Sequence, residues 1–223
     1  MAYLNFILEK PSKRIKSAIP DPYFEHTGNI VEDYNFPSAL IVQLNNCVSR
    51  KLHPYSFSWN LAVEFFYANP YRRRLAGPFP NLASQDFRST PGTIELLYPP
   101  SNYRGPTFAC FYGQYRMGNY NSQYFMNSSK VDRDYKYMSL RKDTYQDRLR
   151  YFQECLDQLL IKLSSTNNYE CVVFPKGIGS GMAGGRWKDY EALISSFAVR
   201  LKKDKPKLVV VIVNYNFSNV IPM

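Results

Sequence analysis

Apolar residues in this chain recur in two rhythms, and each rhythm predicts its own kind of element. Near-continuous apolar runs at 39–44, 107–114, 171–174 and 208–213 suit strands covered on both faces. A shorter strand is expected at 93–97, separated from 107–114 by a turn at 99–105, and another at 3–8. Helical spacing is clearest over 144–163, where Leu149, Phe152, Leu156, Leu159, Leu160 and Leu163 form one stripe. The same spacing returns over 188–201 through Tyr190, Leu193, Ile194, Phe197 and Leu201. It also predicts a helix over 59–67, with Ser58 as N-cap and Trp59, Ala62, Val63 and Phe66 on one face. Strands and helices alternate through the second half, which implies a mainly parallel sheet with helices on both sides.

Between these elements the chain reads as turns and loops. Residues 26–29 form a turn in which Gly28 is free to take positive φ, and 11–19 is a short helix or loop. Residues 69–92, rich in Pro, Arg and Asn, make an ordered surface loop, and 218–223 a loose tail. The polar, tyrosine-rich segment 115–141 has no period and is too long for a neutral connector, so a functional insertion is expected there. There is no internal repeat, and one domain spanning 1–223 fits the length, with its core at about 28–215 and an extension at 1–27.

Composition changes the picture in three places. The chain carries 19 Tyr and 15 Phe, which supply core and also flat faces able to stack on a base or ribose. Its formal charge of +10, gathered at 10–16, 72–74, 130–150 and 200–207, favours phosphate-bearing partners without separating a dinucleotide from RNA. Asp132, Asp134, Asp143 and Asp147 interrupt the third cluster and argue against a nucleic-acid stripe there. Cys47, Cys110, Cys155 and Cys171 are scattered within or beside apolar segments and read as small buried hydrophobes of a reducing compartment. With His26 and His53 far apart, no metal site is expected. The aliphatic run 208–213 has six residues, against the roughly 20 of a membrane span. No signal peptide is read at the start, so an intracellular place, cytoplasmic or nuclear, is expected.

The chemistry concentrates in Gly177-Ile178-Gly179-Ser180-Gly181-Met182-Ala183-Gly184-Gly185, where five glycines fall within nine residues between a buried strand and a helix start. Glycines let the backbone turn sharply and approach a ligand with no Cβ in the way. Successive amide N–H groups near a helix N-terminus make an anion nest, and α/β folds bind ligands at this end of their strands. A Walker loop is excluded because no Gly-Lys-Ser/Thr closes the run. A Rossmann fingerprint belongs to a first βα unit, whereas this loop lies near the chain's end.

The loop resembles the second ligand loop of macro domains, and most closely that of the subgroup with ADP-ribose-1″-phosphate phosphatases and terminal ADP-ribose glycohydrolases. Gly28-Asn29-Ile30, the strand ending Leu44-Asn45-Asn46, Thr90-Pro91-Gly92-Thr93-Ile94 and Glu154-Cys155-Leu156-Asp157-Gln158-Leu159 match that family's segments in order. The resemblance implies a three-layer α/β/α macro domain with a mixed, mainly parallel central sheet. It also implies an ADP-ribose ligand or an ADP-ribosylated protein partner, and no cofactor. By the same resemblance Asn29 and Ile30 meet the adenine, and Asn45 and Asn46 border the distal ribose. The diphosphate and terminal ribose are wrapped by Gly177, Gly179, Ser180, Gly181, Met182 and Ala183. Tyr215, beyond the last strand, either stacks on adenine or closes the core as a rim aromatic.

The sequence departs from the family's pattern at three points. The first ligand loop, 49–58, has no glycine and contains Pro54 and Tyr55. Arg186 stands where relatives often carry Asp before the Trp, and Ala183 stands where the terminal glycohydrolases have a catalytic Asp. What remains for catalysis is His53, since imidazole exchanges a proton near neutral pH, and Asn46, able to hold a water or the ribose. Three functions stay open. The chain hydrolyses a terminal 1″-phosphate or protein-linked ADP-ribose, or it reads ADP-ribose without chemistry. The third is binding of RNA or poly-ADP-ribose through a basic, tyrosine-rich surface such as 112–116 or 133–141.

Overall fold

The computed structural model describes residues 22–77, 81–120 and 143–215. Its strands are β1 (Phe24–Gly28), β2 (Ala39–Asn46), β3 (Ile94–Leu97), β4 (Thr107–Gln114), β5 (Cys171–Pro175) and β6 (Val209–Tyr215). They form one sheet in the order β1-β6-β5-β2-β4-β3. Every neighbouring pair is parallel except β3 with β4. The helices are α1 (Ile30–Asp33), α2 (Phe57–Glu64), α3 (Tyr145–Ser164) and α4 (Trp187–Asp204). The expected strand at 3–8, the segment 11–19, residues 121–141 of the insertion and the tail at 218–223 lie outside the described residues.

The apolar runs are continuous because both faces of the sheet are covered. Leu40, Val42, Ala109, Phe111, Val172, Phe174 and Ile212 pack with Phe152, Leu156 and Leu159 of α3 and Tyr190, Ile194 and Phe197 of α4. The alternate residues Ala39, Ile41, Phe108, Cys110, Val173 and Val211 pack with Ile30, Tyr34, Leu61 and Phe65 on the other face. Fully burying one such side chain stabilises by roughly 1.5–3 kcal/mol, so the central strands anchor the molecule. The result is the expected mixed, mainly parallel α/β/α arrangement.

α3 is opened by a capping box: the Thr144 hydroxyl accepts from the Asp147 amide, and the Asp147 carboxylate accepts from the Thr144 amide. Burial raises the Asp147 pKa, but its bonds from Thr144 and Arg150 outweigh this and hold the carboxyl below its ordinary value. The four cysteines are free and buried. Burial pushes the Cys171 thiol up to about 12 and raises those of Cys110 and Cys155 well above the ordinary range. Among the described residues, no helix is long and apolar enough to cross a membrane, and no group of three His, Cys, Asp or Glu could hold a metal ion.

Two local expectations are corrected. Residues 26–29 are not a turn: Phe24–Gly28 is an edge strand beside β6, and Asn29 caps α1. Gly28 takes no positive φ, and a Cβ there would meet the ends of the partly exposed His26 and Asp33 side chains, which bond to each other at 2.9 Å and would have to shift. The second correction concerns α2, which starts two residues earlier than read, with Ser56 rather than Ser58 as N-cap. It ends at Glu64, and a 3-10 turn, Phe66–Ala68, follows. Its buried residues are Ser58, Asn60 and Leu61, while Val63 and Phe66 stay 55% and 61% exposed. The helix is too short and too abruptly ended for its period to be read reliably past Phe65.

Candidate functional site at the carboxyl edge of the sheet

Because β1, β6, β5, β2 and β4 run parallel, their carboxyl ends share one edge. Gly28 pairs with Tyr215, Pro175 with Val213, and Asn46 with Gln114. The topology therefore brings Asn29, Tyr215, the loop 176–186 and Asn46 to one side of the molecule.

Within the loop 176–186, Gly177, Gly179 and Gly184 take φ of +80, +78 and +76. A Cβ on Gly179 would overlap the Tyr190 ring, and one on Gly184 would overlap Asn119. Gly181 has open space around it, and no positive φ is imposed there. The loop is closed by Ser180 N–H and hydroxyl bonds to the Gly177 carbonyl, and by the Gly184 and Gly185 amides bonding to Gly181 and Gly179. Among the described residues, the amides of Gly179, Gly181, Met182 and Ala183 donate to no partner. Gly181 and Met182 are exposed, whereas Gly179 and Ala183 are buried, so the middle of this set opens towards solvent. The Ser180 hydroxyl, by contrast, is spent inside the loop.

The other expected residues are placed less uniformly. The Asn29 carboxamide oxygen accepts from the Val31 amide at 3.0 Å, leaving one lone pair free for a second donor. Ile30 is fully buried, backbone included, so no part of it faces a ligand here. Asn45 is 3% exposed, and its amide donates to the Gln43 carbonyl. Asn46 turns its side-chain oxygen to the Val48 and Ser49 amides at 3.1 and 2.7 Å. Tyr215 packs on Phe57 with ring centroids 5.0 Å apart, and burial raises its phenol pKa. His53 is exposed, and its Nδ1 lies 2.7 Å from the Pro54 carbonyl oxygen. The next residue, Tyr55, is 70% exposed and takes φ 63, the left-handed conformation that a glycine would adopt without strain.

Behind the glycine loop lies a buried support. Arg148 of α3, 1% exposed, donates twice to Asp143, and its remaining guanidinium nitrogen bonds to the carbonyls of Ala183 and Gly118. Asp143 also accepts from the Tyr115 and Arg116 amides. One ion pair thus joins the glycine loop, the start of the tyrosine-rich segment and α3. Arg148 and Asp143 belong to no site motif and were not expected as site residues. Their signal in the chain is a cation on a buried stripe, four residues before Phe152, which demands a buried acid. At the mouth of α4, Arg186 supplies no capping bond and pairs with Asp189 at 2.8 Å, while the Tyr145 hydroxyl also reaches Asp189. The Tyr145 bond comes first, and with Arg186 it lowers the Asp189 pKa.

No family model and no curated protein sequence matches the chain. Solved structures are similar in fold. The macrodomain of Mycobacterium tuberculosis DarG superposes with a TM-score of 0.51 at 18% identity, covering 86% of this chain and 97% of that one. An Oceanobacillus iheyensis macrodomain with MES bound gives 0.47 at 12% identity, over 89% of this chain and 87% of that one. The first of these likenesses, with the sheet order above, shows that the chain has the macrodomain fold.

Proposed function

We propose that this macrodomain-fold chain binds ADP-ribose or an ADP-ribose derivative at the carboxyl edge of its sheet. The observation that carries the reading is the set of unspent amides at Gly179, Gly181, Met182 and Ala183 in a loop held open by three positive-φ glycines. Such a nest takes a diphosphate, whose charge is spread over several acceptor oxygens. Asn29 and Tyr215 lie towards the β1–β6 side of the same edge, where an adenine attached to that diphosphate would meet a polar group and a ring. An Oceanobacillus iheyensis macrodomain is described with ADPR in its structure, which accords with this ligand class.

Within this reading, recognition without chemistry has more support than hydrolysis of a 1″-phosphate or a protein-linked ADP-ribose. Residues 176–186 contain no carboxylate. The Asn46 oxygen is engaged by two loop amides, and His53 is exposed beside its own chain with no acid to orient it. Calorimetric titration tests the ligand: ADP-ribose is expected to bind in the micromolar range, with adenosine monophosphate far weaker because it fills only part of the nest. Gly181→Glu is expected to abolish binding with an unchanged melting temperature, since the position is open and the added charge repels phosphate. Equal affinity for the two nucleotides, or normal binding by Gly181→Glu, would sink the reading. Turnover of either ADP-ribose conjugate above a no-enzyme control would restore the hydrolase.

A further inference from the structure

A second surface separates itself from the sheet edge by its chemistry. A cavity of about 500 Å3 lies beside α2, between the segment 50–52 and the turn 69–74. Its walls include Arg50, Lys51 and Arg72 on one hand and Leu52, Trp59 and Val63 on the other. No residue of the loop 176–186, nor Asn29, Asn46 or Tyr215, lines it, so it is not the proposed ADP-ribose site. Its size lies within the range of small-ligand pockets, roughly 300–1,000 Å3.

Two features decide what such a cavity takes. First, its lining contains no Asp or Glu, and among the described residues Arg50, Lys51 and Arg72 form no ion pair. Arg74, by contrast, is occupied: it bonds to the Cys47 and Ser49 carbonyls and lies 4.3 Å from the Tyr71 ring centroid, so it forms the floor. The three remaining cations are left for a ligand's charge. Second, α2 turns apolar groups outwards. In the lining, Trp59 is half-buried and Val63 more than half exposed; Tyr55 and Phe66, just outside α2 and outside the lining, are more than half exposed as well, with the Tyr55 ring 5.7 Å from Trp59. A solvated basic face has no need of exposed rings, and a protein-docking face has no need of this one-sided charge.

From these observations we propose that the cavity binds single-stranded nucleic acid, with one base against Trp59 and the flanking phosphates on Arg50, Lys51 and Arg72. Flat rings interleaved with cations form a stacking platform for unpaired bases, whereas a duplex keeps its bases stacked and presents only phosphate.

The test is fluorescence anisotropy with a labelled, unstructured RNA 12-mer and the full chain. Trp59→Ala is expected to weaken binding about tenfold, within the range of base–aromatic stacking, and Trp59→Phe to retain most of the affinity. Arg72→Gln leaves the fold untouched at an exposed position and is expected to flatten the logarithmic salt dependence by roughly 0.7. Gly181→Glu is expected to bind the RNA as the natural chain does, and saturating ADP-ribose is expected not to displace it. Unchanged affinity in both Trp59→Ala and Arg72→Gln overturns the assignment. Equal affinity for duplex overturns it as well, because only charge is then being read. Displacement by ADP-ribose would place the RNA at the sheet edge and overturn it too, while a poly-ADP-ribose preference would assign the cavity to that polymer instead.

Discussion

Two loops leave the carboxyl edge of the same sheet, and they fix their backbones in different ways. The loop 176–186 uses glycine to reach left-handed conformations and leaves several amides undonated. The loop 47–56 has no glycine, and the polar groups of residues 47–50 are taken up by neighbours, although among the described residues the amides of Lys51, Leu52, His53 and Tyr55 donate to no partner either. Asn46 accepts from two of its amides, Arg74 donates to two of its carbonyls, and the Tyr71 hydroxyl both donates to and accepts from the Asn46 backbone. Tyr71 is fully enclosed, and burial raises its phenol pKa, so that hydroxyl stays protonated as a donor. What separates the two loops is therefore not the number of undonated amides but the left-handed glycines that turn the first and the side chains of Asn46, Tyr71 and Arg74 that hold the start of the second.

The largest expected effect comes from breaking the support beneath the glycine loop. Arg148→Met leaves the buried Asp143 carboxylate with Arg116, 3.4 Å away, as its remaining cation and frees the Ala183 and Gly118 carbonyls. Removing one partner of a buried pair typically costs about 3–5 kcal/mol. Denaturant unfolding should show a loss of that size, accompanied by weaker ADP-ribose binding because the loop loses its anchor. A loss below about 1 kcal/mol would mean that the pair is not holding the loop.

Next in size is Gly179→Ala. The added methyl meets the Tyr190 ring, and the residue must hold φ +78. The left-handed conformation alone costs an L-residue roughly 1–2 kcal/mol, and the displaced ring adds to it. Stability and ADP-ribose affinity should fall together here, unlike Gly181→Glu, where only affinity falls. Full affinity in Gly179→Ala would show that the loop tolerates another path and that its glycines are not what shapes the nest.

Much of this architecture is legible in the sequence because it rests on long, simple patterns. Thr107–Gln114 is a strand with the expected ends, and the stripes on α3 and α4 bury Phe152, Leu156, Leu159, Ile194 and Phe197. Burial on both faces makes such segments insensitive to tertiary detail. The misread parts are those where one neighbour decides the outcome. Among the described residues β1, with the sequence Phe-Glu-His-Thr-Gly, pairs with β6 alone and stands at the sheet's edge, so it needs no apolar run. The apolar stripe read at 59–66 does not mark the buried side of α2: Val63 is exposed, and Phe66 lies beyond the helix end and is exposed too. The glycine loop was legible as the connection from β5 to α4, whereas the bonds that hold residues 47–50 were not. The supporting side chains of Tyr71 and Arg74 lie some twenty residues further along and carry no motif.

The smallest expected effect sharpens the comparison most directly, because it asks each loop whether its backbone wants a glycine. Tyr55, in the loop 47–56, stands at φ 63 without being glycine, while Gly181, in the loop 176–186, has no positive φ and no neighbour for its Cβ. Comparing Ala with Gly at each position removes side-chain contacts from the question, including the Tyr55 ring's contact with Trp59. At position 55, alanine keeps the left-handed strain of roughly 1–2 kcal/mol, whereas glycine removes it and gives back about 0.5–1 kcal/mol through its freer unfolded chain. Tyr55→Gly should therefore exceed Tyr55→Ala in stability by about 0.5–1 kcal/mol. At position 181 no strain opposes alanine, so Gly181→Ala should be the more stable form by roughly 0.4–1 kcal/mol through the unfolded state alone. The sign of the glycine–alanine difference is thus expected to reverse between the two loops in paired thermal denaturations. The same sign at both positions would show that Tyr55 is not strained, or that Gly181 is confined in a way its open surroundings do not reveal.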